Sequence, residues 1–247
     1  MIQAALIGNP NVGKTEIFNR LTGLSSKVGN FPGVTVEKKA GKLVHREKEI
    51  ELVDLPGTYS LNANAIDELV ARDYILQERP EIIVDIVDAA NLERNLYLTL
   101  LLLDMDFSLV IALNRWDMAE ARGIKINPEK LSELLGCPVV PTVAVSGQGL
   151  DDLKDSIAKA AGAAERERAK EKKGVMDYGT DLEPPIGKAS DVIRQNPELV
   201  KRCPERWLAI RMLEGDEMIM EQTRAILSSP ERAKILSIIQ SGEAALR

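Results

Sequence analysis

Gly8-Asn9-Pro10-Asn11-Val12-Gly13-Lys14-Thr15 constrains this chain more than any other stretch, because it has the form Gly, four residues, Gly-Lys-Thr. That is the phosphate-cradling P-loop pattern, in which glycines let the backbone curl closely around an anion. At these positions Lys14 would reach the β- and γ-phosphate oxygens and Thr15 would ligate Mg²⁺. The context agrees with the motif. Ile2 to Ile7 is a short apolar run of the kind that forms a buried parallel strand. After the loop, Ile17, Phe18, Leu21 and Leu24 recur at helical spacing. The loop therefore opens a helix, whose free amides and dipole favour anions.

Further along, strands and helices alternate. Ser25 to Thr35 reads as a mobile polar loop, Val34 to His45 and Ile50 to Val53 as strands, and Leu69, Val70 and Tyr74 as the apolar face of a helix. Strands at Ile82–Val87, Leu109–Leu113 and Val139–Val145 then interleave with helices at Glu93–Met105, Pro128–Leu135 and Leu150–Ala161. Alternation of this kind predicts an α/β domain with a mostly parallel, six-stranded sheet, covered on both faces and spanning residues 1–162. Glu165 to Lys173 is almost entirely charged, so residues 163–174 read as an exposed helix extension or hinge. Beyond it the periodicity is helical only, with candidate helices at Ile186–Arg194, Trp207–Leu213, Met218–Leu227 and Pro230–Ile239. Residues 175–247 are thus expected to form a small all-α domain of about four helices.

Charge and cysteine usage narrow the functional classes. The chain of 247 residues carries a net charge of −6, and residues 163–247 hold 15 basic and 15 acidic side chains. Neither favours a nucleic-acid surface. Cys137 and Cys203 are far apart and lack metal-ligand spacing, which suits a reducing compartment, and His45 is the only histidine. In the most apolar window, Leu96 to Leu113, Asp104 and Asp106 intervene, so it reads as a helix end and a strand rather than a membrane span. With the phosphate loop starting at residue 8, no signal peptide is expected, and the chain reads as soluble and intracellular.

Four further elements follow the loop in the order that a guanine-nucleotide-binding domain requires. Thr35 would ligate Mg²⁺ and contact the γ-phosphate; Asp54 would hold Mg²⁺ through water, and the Gly57 amide would sense the γ-phosphate. Asn114-Arg115-Trp116-Asp117 would choose the base. A carboxylate at Asp117 accepts from both N1–H and the exocyclic amine of guanine, a donor pair that adenine lacks. Asn114 would brace the neighbouring loops, and Arg115, where many GTPases have lysine, could stack over the base. Ser146-Gly147 would supply a backbone amide for guanine O6. After Gly57 stands Thr58, too short to orient a water as the glutamine of Ras-type enzymes does, so hydrolysis should be slow or should recruit another charge. Asn11 suggests K⁺, which an asparagine at this loop position helps to bind in potassium-activated GTPases.

These segments together resemble the cytoplasmic N-terminal region of the FeoB ferrous-iron transporter family. The likeness rests on residues 8–15, Asn-Phe-Pro-Gly-Val-Thr-Val-Glu at 30–37, Asp-Leu-Pro-Gly-Thr-Tyr-Ser-Leu at 54–61 and Asp-Ala-Ala-Asn-Leu-Glu-Arg-Asn-Leu at 88–96. Glu-Arg-Trp-Leu-Ala-Ile-Arg-Met-Leu-Glu-Gly-Asp at 205–216 extends it into the second domain. What the resemblance implies is a Ras-like GTPase domain that binds GTP and GDP with Mg²⁺ and hydrolyses GTP slowly, in some members with K⁺ stimulation. It also implies a helical domain that favours bound GDP and a polytopic membrane domain as partner in the full-length protein, with this region on the cytoplasmic side. Two alternatives stay open on sequence: a nucleotide-gated binding switch whose hydrolysis is incidental, and an RNA-linked assembly GTPase. Self-association is also left open.

Overall fold

The computed structural model describes residues 2–23, 26–61, 65–105, 107–167 and 177–245. The chain forms two compact units, Met1–Leu103 with Phe107–Gly174, and Asp104–Asp106 with Val175–Arg247.

In the first unit the elements run β1 (Ile2–Gly8), α1 (Lys14–Thr22), β2 (Ser26–Asn30), β3 (Glu37–His45), β4 (Lys48–Asp54) and α2 (Ile66–Glu78). They continue with β5 (Ile82–Asp88), a 3-10 turn (Ala89–Asn91), α3 (Leu92–Asp104), β6 (Leu109–Asn114), α4 (Trp116–Ala121), α5 (Pro128–Leu135), β7 (Val139–Pro141) and α6 (Leu150–Glu167). The sheet order is β2-β3-β4-β1-β5-β6-β7. β4, β1, β5, β6 and β7 are mutually parallel, while β3 and β2 extend the sheet antiparallel. Ile82, Val84 and Ile86 of β5 face a core that includes Ile17 and Phe18 of α1 and Leu153 and Ile157 of α6. The carboxyl ends of β1, β4, β5 and β6 are Gly8, Asp54, Asp88 and Asn114, so the chemistry-bearing residues share one edge of the sheet, where ligands bind in open α/β folds.

The sheet has seven strands rather than the six expected. The extra one, β2, falls where the sequence reads as a polar loop. It is an edge strand paired only to β3, and its last four residues are exposed, so it needs no alternating apolar face to announce it. β7 is shorter than expected because the chain turns after Pro141, closing a tight loop in which the Gly147 N–H donates to the Val143 carbonyl at 2.9 Å. α6 runs on to Glu167, and the rest of the charged segment lies outside the described residues.

The second unit holds five helices among its described residues, α7 (Glu183–Arg194), α8 (Pro197–Arg202), α9 (Glu205–Leu213), α10 (Glu217–Arg224) and α11 (Ser229–Ala245), against about four expected. The one missed, α8, is six residues long; the Asn196-Pro197 pair that reads as a turn is its cap, with Asn196 Oδ1 accepting from Glu198 N at 3.2 Å. Ile186, Ala189, Trp207, Leu208 and Ile235 are buried in this unit. Arg206 clamps Glu183 through two hydrogen bonds of 2.7 and 2.9 Å. No described helix is long and apolar enough to cross a membrane.

One buried carboxyl of the first unit has a measurable signature. Asp85 on β5 is fully buried and accepts a 2.6 Å hydrogen bond from the Thr99 hydroxyl of α3. Burial pushes its pKa up to about 7, against the smaller opposing effect of the Thr99 bond. A carboxyl raised in the folded state stabilises the fold at low pH, and that contribution is lost as pH rises from its ordinary value near 4 to about 7. Asp85→Asn should therefore gain thermal midpoint relative to the parent on going from pH 5 to pH 8. An identical pH response in both proteins would contradict this.

Candidate functional site

The phosphate loop leaves β1 at Gly8 and enters α1 at Lys14. Two of its residues are left-handed, Asn11 (φ 65°) and Gly13 (φ 90°). Gly13 cannot be replaced cheaply, since a Cβ there would stand 2.5 Å from the Asn114 side-chain nitrogen. A cleft opens over the loop, lined by Asn9, Pro10, Asn11, Gly13, Lys14, Thr15 and Glu16 together with Gly57 and Asp67. In its wall the Asn9 side-chain oxygen is buried without a hydrogen-bond partner. Beside it a second cleft is lined by Lys14, Val36, Asp54, Leu55 and Pro56 among others. Lys14 stands between the two and its ammonium pairs with the Asp54 carboxylate. Asp54 is buried at the end of β4; burial pushes its pKa up, while Lys14 opposes that shift.

The Asp-Leu-Pro-Gly segment is stitched to the loop by its backbone: Leu55 N donates to the Leu6 carbonyl at 2.9 Å and Thr58 N to the Gly8 carbonyl at 3.1 Å. A Cβ on Gly57 would come within 3.1 Å of Pro10 Cα, so the two loops touch through backbone. Thr58 is 2 % exposed and its hydroxyl donates to the Ser60 carbonyl, so the side chain is turned away from the cleft. Tyr59 instead is exposed, with the Arg94 guanidinium 4.3 Å above its ring. In the loop before β3, Phe31 is buried edge-on against Tyr74 of α2, ring centroids 5.9 Å apart, with the Lys38 ammonium 5.7 and 5.1 Å from the two rings. Thr35 lies exposed and lines neither of the two clefts, although Val36, its neighbour, lines the second.

The base element is joined to the phosphate loop by side chains that bond backbone. Asn114, 1 % exposed at the end of β6, donates from Nδ2 to the Val12 carbonyl at 2.7 Å. Its Oδ1 accepts from Ala144 N at 3.0 Å and from the Thr142 hydroxyl at 3.3 Å. The bracing role expected of Asn114 is thus made by specific bonds, but to residues two to four places before Ser146. Gly147 spends its amide on Val143 and cannot offer it to a ligand in this turn, and Ser146 bonds the Val143 carbonyl through its hydroxyl. The exposed residue next to Ala144 is Val145, whose carbonyl accepts from the guanidinium of Arg20 on α1. Arg115, left-handed at φ 58°, does not hold its guanidinium free for stacking; it bonds the Asp88 carboxylate at 3.0 Å and the Asn11 carbonyl. Asp117 sits exposed in the first turn of α4.

Sequence reasoning passed over Asp88, Arg20 and Asp67 as site residues. Asp88 was visible as a strand-ending aspartate inside Asp-Ala-Ala-Asn; Arg20 and Asp67 carry no motif.

A loop that cradles phosphate, an acidic strand end beside it and a base element bonded to it form the layout of a Ras-like GTPase domain. The family description "Ferrous iron transport protein B" matches residues 2–157, and "FeoB cytosolic helical domain" matches residues 178–247. The chain belongs to the FeoB family. It is 43% identical over 239 residues to an Fe(2+) transport protein A/Fe(2+) transporter FeoB fusion protein of Porphyromonas gingivalis, covering 96% of this chain and 28% of that protein. With the Fe(2+) transporter FeoB of Escherichia coli K12 it shares 43% over 215 residues, covering 85% of this chain and 26% of the relative. The chain thus spans about a quarter of the length of these relatives. Among solved structures it superposes on an S. thermophilus NFeoB mutant bound to mGDP with TM-score 0.88 and 39% identity, covering all of this chain and 90% of that one. On the GMPPNP form of the T. maritima FeoB cytosolic domain it superposes with TM-score 0.82 and 37% identity, covering all of this chain and 96% of that one. The first unit is therefore a FeoB G domain and the second a FeoB helical domain, which displaces the RNA-linked reading.

The bonds of Asn114 give the site its first test. Asn114→Ala would strand the Val12 carbonyl, the Ala144 amide and the Thr142 hydroxyl, and should destabilise the fold by roughly 2–4 kcal/mol in urea unfolding. A loss below about 0.5 kcal/mol would show that the loops are held by something else.

Proposed function

We propose that this chain binds GTP and GDP with Mg²⁺ and hydrolyses GTP slowly, and that in the whole protein its nucleotide state gates Fe²⁺ uptake through a membrane domain on whose cytoplasmic side it lies. The observation that supports this most is the direct bonding of the phosphate loop to the Asn114–Asp117 element, which sets a phosphate cradle and a guanine acceptor in one fixed frame.

In this reading the free amides of the loop and of the α1 N-terminus take the phosphates, and Lys14 exchanges Asp54 for a β/γ oxygen. Thr15 and Asp54 fit Mg²⁺: both are oxygen donors, and Asp54 is a buried carboxylate already partnered by a cation, Lys14. Bound there, Mg²⁺ would neutralise charge between the transferring and leaving groups, and a monovalent cation such as K⁺ at Asn11 would add transition-state charge as an arginine finger does. Thr35 completes the metal shell only if the loop beyond the Phe31 anchor swings inward, and the Gly57 amide, already against Pro10, meets the γ-phosphate. Asp117 reads guanine, and, with the Gly147 amide on Val143 and the Ala144 amide on Asn114, guanine O6 falls to the backbone of Val145 and Ser146.

A second reading keeps the nucleotide but makes hydrolysis incidental, the chain acting as a binding switch. The burial of Thr58 favours it, since a hydroxyl donated to the Ser60 carbonyl is not directed at a water in the cleft. Single-turnover GTP hydrolysis separates the two. A rate above the uncatalysed one, higher in K⁺ than in Na⁺ and losing that difference in Asn11→Ala with GDP binding kept, supports an enzyme assisted by a cation at Asn11. No rate above background in either salt supports the switch, and equal stimulation of both proteins would remove Asn11 from the cation site.

A further inference from the structure

We propose that Asp88 and Arg115 form a positioning pair that holds the phosphate loop at Asn11 and thereby sets how long a guanosine diphosphate stays bound. The inference rests on the nucleotide reading above and adds to it a role for a buried aspartate outside the motifs that touch nucleotide.

The pair begins at a rigid point. Asp88 ends β5, is 4 % exposed, and its carboxylate accepts from Ala90 N at 2.8 Å, from Asn91 Nδ2 at 2.9 Å and from Arg115 Nη1 at 3.0 Å. Its own amide donates to Asn95 Oδ1 at 3.3 Å, and Asn95 Nδ2 donates to the Asn91 carbonyl at 2.9 Å. The acid is thus fixed by a strand, a turn and a helix before Arg115 reaches it. A guanidinium holds its two terminal nitrogens in a rigid fork, so anchoring one aims the other. The second, Nη2, donates to the Asn11 carbonyl.

That carbonyl is where a small push matters. A trans peptide holds its C=O and the following N–H in one plane, pointing in opposite directions. Pulling the Asn11 carbonyl toward Arg115 turns the Val12 N–H the other way, and Asn114 does the same to the next peptide by bonding the Val12 carbonyl. Two consecutive loop amides, those of Val12 and Gly13, are therefore aimed by two consecutive side chains of the base element. Asn11 is left-handed at φ 65°, a conformation that asparagine adopts more readily than other non-glycine residues, so the loop takes this path without glycine. The Asn114 bond is buried; the Arg115 side chain is 37% exposed, so its bond is the one that can be altered without opening the core.

The test follows release of methylanthraniloyl-labelled GDP and GMP from the parent chain, Asp88→Asn, Arg115→Met, Arg115→Lys and the Asp88→Asn/Arg115→Met double variant by stopped flow. Asp88→Asn and Arg115→Met should each release labelled GDP on the order of tenfold faster, the double variant no faster than Arg115→Met alone, and Arg115→Lys between parent and Met. Labelled GMP lacks the β-phosphate that the loop amides hold, so its release should change little. Faster GDP release in Arg115→Met with parental release in Asp88→Asn would show Arg115 acting on the base and overturn the pair. Equal acceleration of GMP and GDP would show general disruption and overturn it as well. A parent chain that binds neither probe would overturn the nucleotide reading on which the pair rests.

Discussion

One buried carboxamide holds three loops in register. Asn114 donates to the phosphate loop at Val12 and accepts from the segment after β7 at Thr142 and Ala144, while its own backbone ends β6. A carboxamide offers donor and acceptor on separate atoms a short distance apart and carries no charge, so it can bridge backbone groups of both kinds without the desolvation cost of a charge. Gly13 is the complement of that choice, since any side chain there would strike the Asn114 nitrogen. The five parallel strands bring the loops to one edge; Asn114 decides how they meet.

Charge is added around this neutral centre in short links. Lys14 pairs with Asp54 across the cleft, Arg115 joins Asp88 to the Asn11 carbonyl, and Arg20 holds the Val145 carbonyl from α1. Each link ends on a group that a guanine nucleotide and its metal would need in a set position. The switch side is built differently. Phe31 is pinned on Tyr74, and Thr58 is folded inward, yet Thr35 stays exposed. The base and phosphate sides are thus held by side-chain bonds, whereas the Thr35 loop is a short turn closed by backbone, with Phe31 N donating to the Val36 carbonyl at 2.9 Å and Val34 N to the Phe31 carbonyl at 3.3 Å.

The sequence made the sheet, the order of motifs and the family legible because each rests on a local pattern. Apolar runs mark β1, β5 and β6, and the spacing of Gly8, Gly13 and Lys14 marks the phosphate loop. What it hid depends on pairing between distant residues. β2 is polar because nothing covers it, so only its partner β3 reveals it as a strand. Composition points to Ser146-Gly147 as the amide-bearing turn, whereas the long-range bond from Asn114 goes to Ala144, two residues earlier. The place of Arg115 in the base element points to the base, whereas the carboxylate it bonds, Asp88, stands 27 residues earlier.

The central claim is that one frame joins a phosphate cradle to a guanine acceptor at Asp117. The most direct measurement is competitive binding of GDP and xanthosine diphosphate to the parent and to Asp117→Asn. Exchanging an acceptor for a donor at that position should weaken GDP by at least about tenfold and strengthen the xanthine nucleotide, reversing the preference. An unchanged preference in Asp117→Asn would contradict the account, because the base would then be read elsewhere or not at all.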